Sequence, residues 1–122
     1  MKAKIEAIEY CLPANIVSNE QLKKENPTWD IELLTKRIGV KSRHIATENE
    51  TALDLAIEAC SKLFQNNQGL KEKIDALIFC TESEDYILPP DSCLLHKHFN
   101  LPENVFAFDF NLACSGYIYG LY

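Results

Sequence analysis

The chain has 122 residues, 47% of them hydrophobic and 25% charged, a composition that suits one globular domain and excludes a disordered or fibrous segment. Eighteen Asp and Glu against 12 Lys and Arg leave a net charge of −6, so the chain has no overall field to draw in nucleic acid, although a local basic patch can still hold a small anion. Lys2, Lys4, Glu6 and Glu9 follow Met1 too closely to leave room for a signal peptide, and the longest charge-free run, Phe110 to Tyr122, falls short of the roughly 18 apolar residues of a membrane span; a cytoplasmic protein is expected.

In chain order, Lys4 to Tyr10 alternates Ile5, Ala7 and Ile8 with charges, which predicts a strand closed by a turn at Pro13 and Asn15. Ser18 stands as the N-cap of a short helix that Asn26-Pro27 must end. A second helix is predicted from about Thr28, with Asp30 and Glu32 in its first turn, Lys36 and Arg37 in its last, and Gly39 as a left-handed cap, all in accord with the helix dipole. Thr51 to Asn66 is the strongest helical pattern: Leu53, Ala56, Ile57, Cys60, Leu63 and Phe64 recur at three- and four-residue steps behind Thr51 and Asp54 as a capping pair, and Gly69 ends it.

Ile74 to Thr81 is a nearly continuous apolar run, which predicts a strand covered on both faces, as in a parallel sheet. Asp91 can cap a helix running through Phe99, and Val105 to Phe110 is a second apolar strand. The order strand, helices, strand, helix, strand, helix predicts an α/β fold with right-handed crossovers onto a mostly parallel sheet. The final helix, from Ala113 to Tyr122, is apolar almost all round, as a helix buried in the middle of a core must be; the chain is therefore expected to be the N-terminal part of a larger enzyme.

Five cysteines, Cys11, Cys60, Cys80, Cys93 and Cys114, are widely spaced, with no Cys-x-x-Cys pair and no compact Cys/His cluster, so reduced thiols and no metal site are expected. Cys60 falls on a helix's apolar stripe and Cys80 inside a strand, as packing residues do. Cys114 is different: it follows a buried strand, has the small neighbours Ala113, Ser115 and Gly116, and stands where the last helix begins. A helix N-terminus stabilises a thiolate, and its spare N–H groups can receive the oxyanion formed when that thiolate attacks a carbonyl. From these neighbours alone Cys114 is either a nucleophile or, the commoner case for free cysteine, a buried packing residue.

The segment FDFNLACSGYIYGL, Phe108 to Leu121, resembles the active-site segment of β-ketoacyl-acyl-carrier-protein synthase III and, more broadly, of the initiating condensing enzymes of the thiolase superfamily. YCLPANIVSNEQL, KRIGVKSRHIATENET and the region of Pro90 are similar to further stretches of that family, so the likeness runs the length of the chain. The resemblance implies a thiolase-like α/β fold, here its N-terminal half, with a mostly parallel sheet and a buried nucleophile helix. It implies that Cys114 takes an acyl group from a coenzyme A or phosphopantetheine thioester, then passes it to the carbanion of a decarboxylated malonyl thioester. The catalytic His and Asn of the family would come from the half not present, and His44, His96 and His98 match none of its motifs.

Lys36, Arg37, Lys41 and Arg43 make a basic spot in an acidic chain. A helix C-terminus accounts for the first two, and the spot also suits the phosphates of coenzyme A or the acidic surface of an acyl carrier protein. By the resemblance Arg37 adjoins the coenzyme A nucleotide. Leu33 stands where the family commonly has a Trp stacked on adenine, and Ile38 where Thr is usual, a pattern that points toward a carrier-protein primer; Trp29, one turn earlier, is either a substitute platform or a packing residue. The resemblance further implies that Val105 to Asp109 is a sheet edge paired with its copy in a homodimer. Two other readings stand beside this one: another thiolase-superfamily enzyme, hydroxymethylglutaryl-CoA synthase-like or of secondary metabolism, and a non-catalytic structural partner in a heterodimer.

Overall fold

The computed structural model describes residues 4–122. They form two compact units, one of Leu12–Glu50 and one of Thr51–Tyr122 together with the segment up to Cys11.

The first unit runs β1 (Asn15–Ser18), α1 (Asn19–Glu25), α2 (Ile31–Ile38) and β2 (Ser42–Ile45). Ser18 caps α1 by accepting from the N–H of Gln21, and Gly39 closes α2 at φ 75°, both where the sequence places them. The cap of α2 is Asp30, whose carboxylate accepts from Leu33 N–H at 2.9 Å, so the helix starts at Ile31 and not near Thr28. β1 and β2 pair antiparallel, with Ile16 opposite His44 and Val17 opposite Arg43. Neither strand was expected: β1 occupies the place of the turn at Asn15, and β2 carries too little alternation to be read from sequence. Pro13, Val17 and Ile31 are buried in this unit. Between them Asn19 is a polar hub. Its Nδ2 donates to Thr35 Oγ1 at 2.6 Å and to the Val40 carbonyl at 2.8 Å, while its Oδ1 accepts from Arg43 Nη2.

In the second unit, α3 (Ala52–Asn66) opens with the complete Thr51–Asp54 capping box. The chain continues through β3 (Ala76–Cys80), α4 (Asp91–Phe99), β4 (Phe106–Phe110), a one-turn 3-10 segment (Ala113–Ser115) and α5 (Gly116–Leu121). β3 and β4 are parallel, with Ile78 opposite Phe108 and Cys80 opposite Phe110, so the expected parallel pairing is present. Pleating sends Leu77, Phe79, Ala107 and Asp109 to the face that carries α4, and Ile78, Cys80, Phe108 and Phe110 to the face that receives α5 at its C-terminal end. Leu95, Leu101 and Val105 are buried, and the Phe64 and Phe99 rings meet edge to face with centroids 5.0 Å apart.

Lys4 to Tyr10 forms no strand. A strand requires a hydrogen-bonded neighbour, and among the described residues this segment has none; it lies along α3, held by Lys62 on the Tyr10 carbonyl, Asn66 on Glu9, and Cys11 on Glu58, three positions on one face of that helix. The two-sided cover expected for β3 is also incomplete here, since Ile78 is 42% exposed. The apolar side chains of α5 stand open in this chain, with Tyr117, Ile118 and Tyr119 each more than three-fifths exposed.

Candidate active site

Parallel strands in α/β folds deliver ligand sites at their carboxyl ends, because the loops that leave them converge there. At that end β4 gives way to Asn111, Leu112 and the 3-10 turn holding Cys114, whose side chain is exposed. The turn is built tightly. Asn111 Oδ1 accepts from the Ala113 N–H at 3.1 Å, Ser115 Oγ donates to the Leu112 carbonyl at 2.7 Å, and the N–H of Ser115 donates to the same carbonyl. Ala113 sits at φ 47°, the left-handed region that costs an alanine roughly 1–2 kcal/mol. Such strain persists only where the surroundings enforce it.

Gly116 shows part of that enforcement. It is buried, and a Cβ built on it would stand 2.5 Å from Cys80 Sγ and 3.7 Å from the Phe110 ring, so the backbone after Cys114 lies directly on the end of β3. No residue with a side chain fits there unaltered. The expectation that Cys114 opens the last helix is corrected by one step: α5 is six residues long and begins two residues later. The N–H groups of Ala113, Ser115 and Gly116 are already engaged, which leaves the N–H of Cys114 itself as the turn's candidate oxyanion donor.

The other thiols fall into place around this one. Cys60 lies within the second unit and burial pushes its thiol up from the ordinary value of 9.0. Cys80 meets Gly116, Cys11 donates to Glu58, and Cys93 lies exposed on α4. The three histidines have structural work: His44 Nδ1 meets the Pro13 carbonyl, His96 Nε2 the Pro102 carbonyl at 3.0 Å, and the His98 ring the edge of Phe99. Among the described residues no group of three or more His, Cys, Asp or Glu is arranged to hold a metal ion, and no helix is long and apolar enough to cross a membrane.

The basic spot divides. Arg43 is engaged inside the first unit, with Nη1 donating to the Val17 carbonyl at 3.1 Å and Nη2 to Asn19, so it has a structural role there. Arg37 is exposed on the last turn of α2, one helical turn from Leu33. Leu33 forms an open apolar cleft with Trp29, Asp30 and Leu34, in which Trp29 is 50% exposed. Sequence reasoning missed two residues of consequence. Asn19 gives no signal. Asp109 does, because a lone acid in the run VFAFDF must find donors: it, and not Asp91, caps α4.

No family model matches the chain. It is 38% identical over 121 residues to a β-ketoacyl-acyl-carrier-protein synthase III of Bacillus anthracis, a match that covers 99% of this chain and 36% of the relative. Among solved structures, a 3-oxoacyl-(acyl-carrier-protein) synthase III superimposes with a TM-score of 0.82 at 40% identity, over 94% of this chain and 34% of the other. The β-ketoacyl-acyl-carrier-protein synthase III of Thermus thermophilus does so with a TM-score of 0.85 at 32% identity, over 98% and 36%. The chain thus spans about a third of the length of the curated relatives it matches. Its fold is thiolase-like.

Proposed function

From its kinship with the β-ketoacyl-acyl-carrier-protein synthases III, we propose that this chain is the N-terminal part of a condensing acyltransferase of that type and supplies its nucleophile, Cys114. The observation that carries the reading is the turn itself: an exposed thiol at the carboxyl end of two parallel strands, held by a strained Ala113 and a wedged Gly116. The thiolate attacks the carbonyl of an acyl thioester, the negative oxygen is met by the Cys114 N–H, and the pantetheine thiol leaves. The acyl group then passes from sulfur to the carbanion left when a malonyl thioester loses carbon dioxide, which gives a β-ketoacyl thioester. The groups that stabilise that carbanion belong to the remaining part of the enzyme.

Coenzyme A or an acyl carrier protein delivers the thioesters, with Arg37 toward the phosphates and Leu33 beside Trp29 forming the apolar ground under the nucleotide. The reaction is the initiating step of fatty acid synthesis, in the cytoplasm. Of the described strands β4 pairs only with β3, and Phe106 is 70% exposed on it. An uncovered apolar edge of this kind invites pairing; a second copy covers it in a homodimer.

Incubation of the complete protein with acetyl-coenzyme A, followed by intact-mass measurement and peptide mapping, tests the assignment. One acetyl group should appear on Cys114, and Cys114→Ser should abolish it, since an unassisted hydroxyl is a far weaker nucleophile. Acetylation of another cysteine with Cys114 untouched refutes the reading.

A further inference from the structure

Asp109 is the one charged residue in the apolar run of β4, and its carboxylate is committed twice to another element. Oδ2 accepts from the N–H of Asp91 at 2.8 Å and Oδ1 from the N–H of Ser92 at 2.9 Å, the first two residues of α4. Asp91 and Ser92 are fully buried, and Asp109 is half-buried. Asp91 extends the clamp, because its own Oδ2 accepts from the N–H of Asp85 at 2.9 Å and ties down the loop between β3 and α4. Phe110 is fixed as well: its carbonyl accepts from Thr81 N–H, and its ring underlies Gly116 and Gly120.

The strained turn begins directly after these two residues. A left-handed alanine needs anchors on both sides. Downstream, Gly116 against Cys80 is one; upstream, β4 must be kept from sliding or twisting, and hydrogen bonding with β3 leaves the side-chain face of that strand end unrestrained. The Asp109 carboxylate supplies the missing restraint with a charge-assisted pair of bonds, the strong kind.

We propose that Asp109 is a positioning residue: by locking the end of β4 to the first turn of α4 it holds the Ala113 turn in place, and so presents the thiol and the N–H of Cys114 together to one incoming carbonyl. The proposal deepens the reading of Cys114 as an acyl-accepting nucleophile and rests on it. Alignment matters to acyl transfer, where nucleophile and oxyanion donor must meet one carbonyl. It matters little to alkylation by a small reagent, which asks only for an accessible thiol.

The test compares Asp109→Asn with Leu95→Val in the complete protein. The first keeps the shape but turns one acceptor into a donor facing an N–H; the second trims the α4 core at a residue 1% exposed and leaves the clamp alone. Two rates are read at Cys114: acetylation by acetyl-coenzyme A and alkylation by iodoacetamide. In Asp109→Asn acetylation should fall on the order of ten-fold while alkylation stays unchanged; in Leu95→Val both should stay unchanged although stability drops. Should Asp109→Asn not fold, Asp109→Glu, with both acceptors on a stem one methylene longer, carries the same comparison with the same split expected. Unchanged acetylation in the Asp109 variant, an equal loss in Leu95→Val, or alkylation falling in proportion to acetylation overturns the proposal. A parent protein that alkylates at Cys114 yet accepts no acyl group from either acetyl-coenzyme A or an acyl-acyl-carrier-protein overturns the nucleophile reading and this proposal together, and is recognised because it fails before any substitution.

Discussion

Gly116→Ala isolates the contact that seats the Cys114 turn on β3. The new Cβ would meet Cys80 Sγ at 2.5 Å, whereas ordinary contact begins at 3.4 Å, so one partner must yield by nearly an ångström. Gly116 has helical dihedrals, φ −52° and ψ −47°, so alanine is not strained in its backbone, and it gains roughly 0.5–1 kcal/mol of helix preference over glycine. Forcing a methyl group into a packed site costs about 1–3 kcal/mol. The overpacking wins, and the net loss is about 1–2 kcal/mol. With a urea m-value of about 2 kcal/mol/M, that lowers the unfolding midpoint by roughly 0.5–1 M. Cys80→Ala removes the sulfur that the methyl group strikes, so Cys80→Ala/Gly116→Ala should recover most of what Gly116→Ala loses relative to the glycine parent of the same background. Urea titrations of the four proteins close the cycle. Equal losses for Gly116→Ala with and without Cys80, or no loss at all, would show that the turn does not rest on that sulfur.

Arg37→Ala should raise KM for an acyl-coenzyme A substrate and leave kcat nearly intact, because a remote phosphate contact is felt equally in ground and transition states; an unchanged KM refutes the contact. Arg43→Met should do the reverse of a binding variant: steady-state KM holds, while loss of the bonds to Val17 and Asn19 costs about 1.5–3 kcal/mol in denaturant titration. Phe106→Asp should shift the complete protein from dimer to monomer in sedimentation velocity at micromolar concentration, and a parent that sediments as an active monomer refutes the pairing. Burial raises the Cys60 thiol in the folded state, so its contribution to stability is fully present below the ordinary value of 9.0 and is lost as pH rises through the raised value. Cys60→Ala should flatten the decline of stability at alkaline pH, and an identical pH profile in that variant argues against burial as its cause.

The helices were legible because their signals are local: Ser18 and the Thr51–Asp54 pair bond to N–H groups three residues away, and Gly39 closes α2 by its own dihedral freedom. β3 and β4 were legible as continuous apolar runs. Lys4 to Tyr10 has the side chains of a strand, but side chains cannot supply a neighbour, and among the described residues the ladder is missing. β1 and β2 are the opposite case, four residues each with little alternation, paired because the α1–α2 hairpin brings Val17 against Arg43. At the site the residue types around Cys114 were readable, whereas the devices that hold it were not. Arg43 and Asp109 are each a charge whose structural role depends on a partner far along the chain.

The Cys114 turn has local bonds of its own, but the contacts that seat it on the sheet are tertiary. Asp109 reaches Asp91 across 18 residues, and Gly116 reaches Cys80 across the entire crossover through α4. Loop closure of this kind comes late, after local helices have formed. Opening of the α4–β4 contact alone, well short of global unfolding, would loosen that seating. Acyl uptake should accordingly disappear at lower denaturant concentration than helix content, and the capacity to react would be the earliest casualty of any stress that loosens this corner of the sheet.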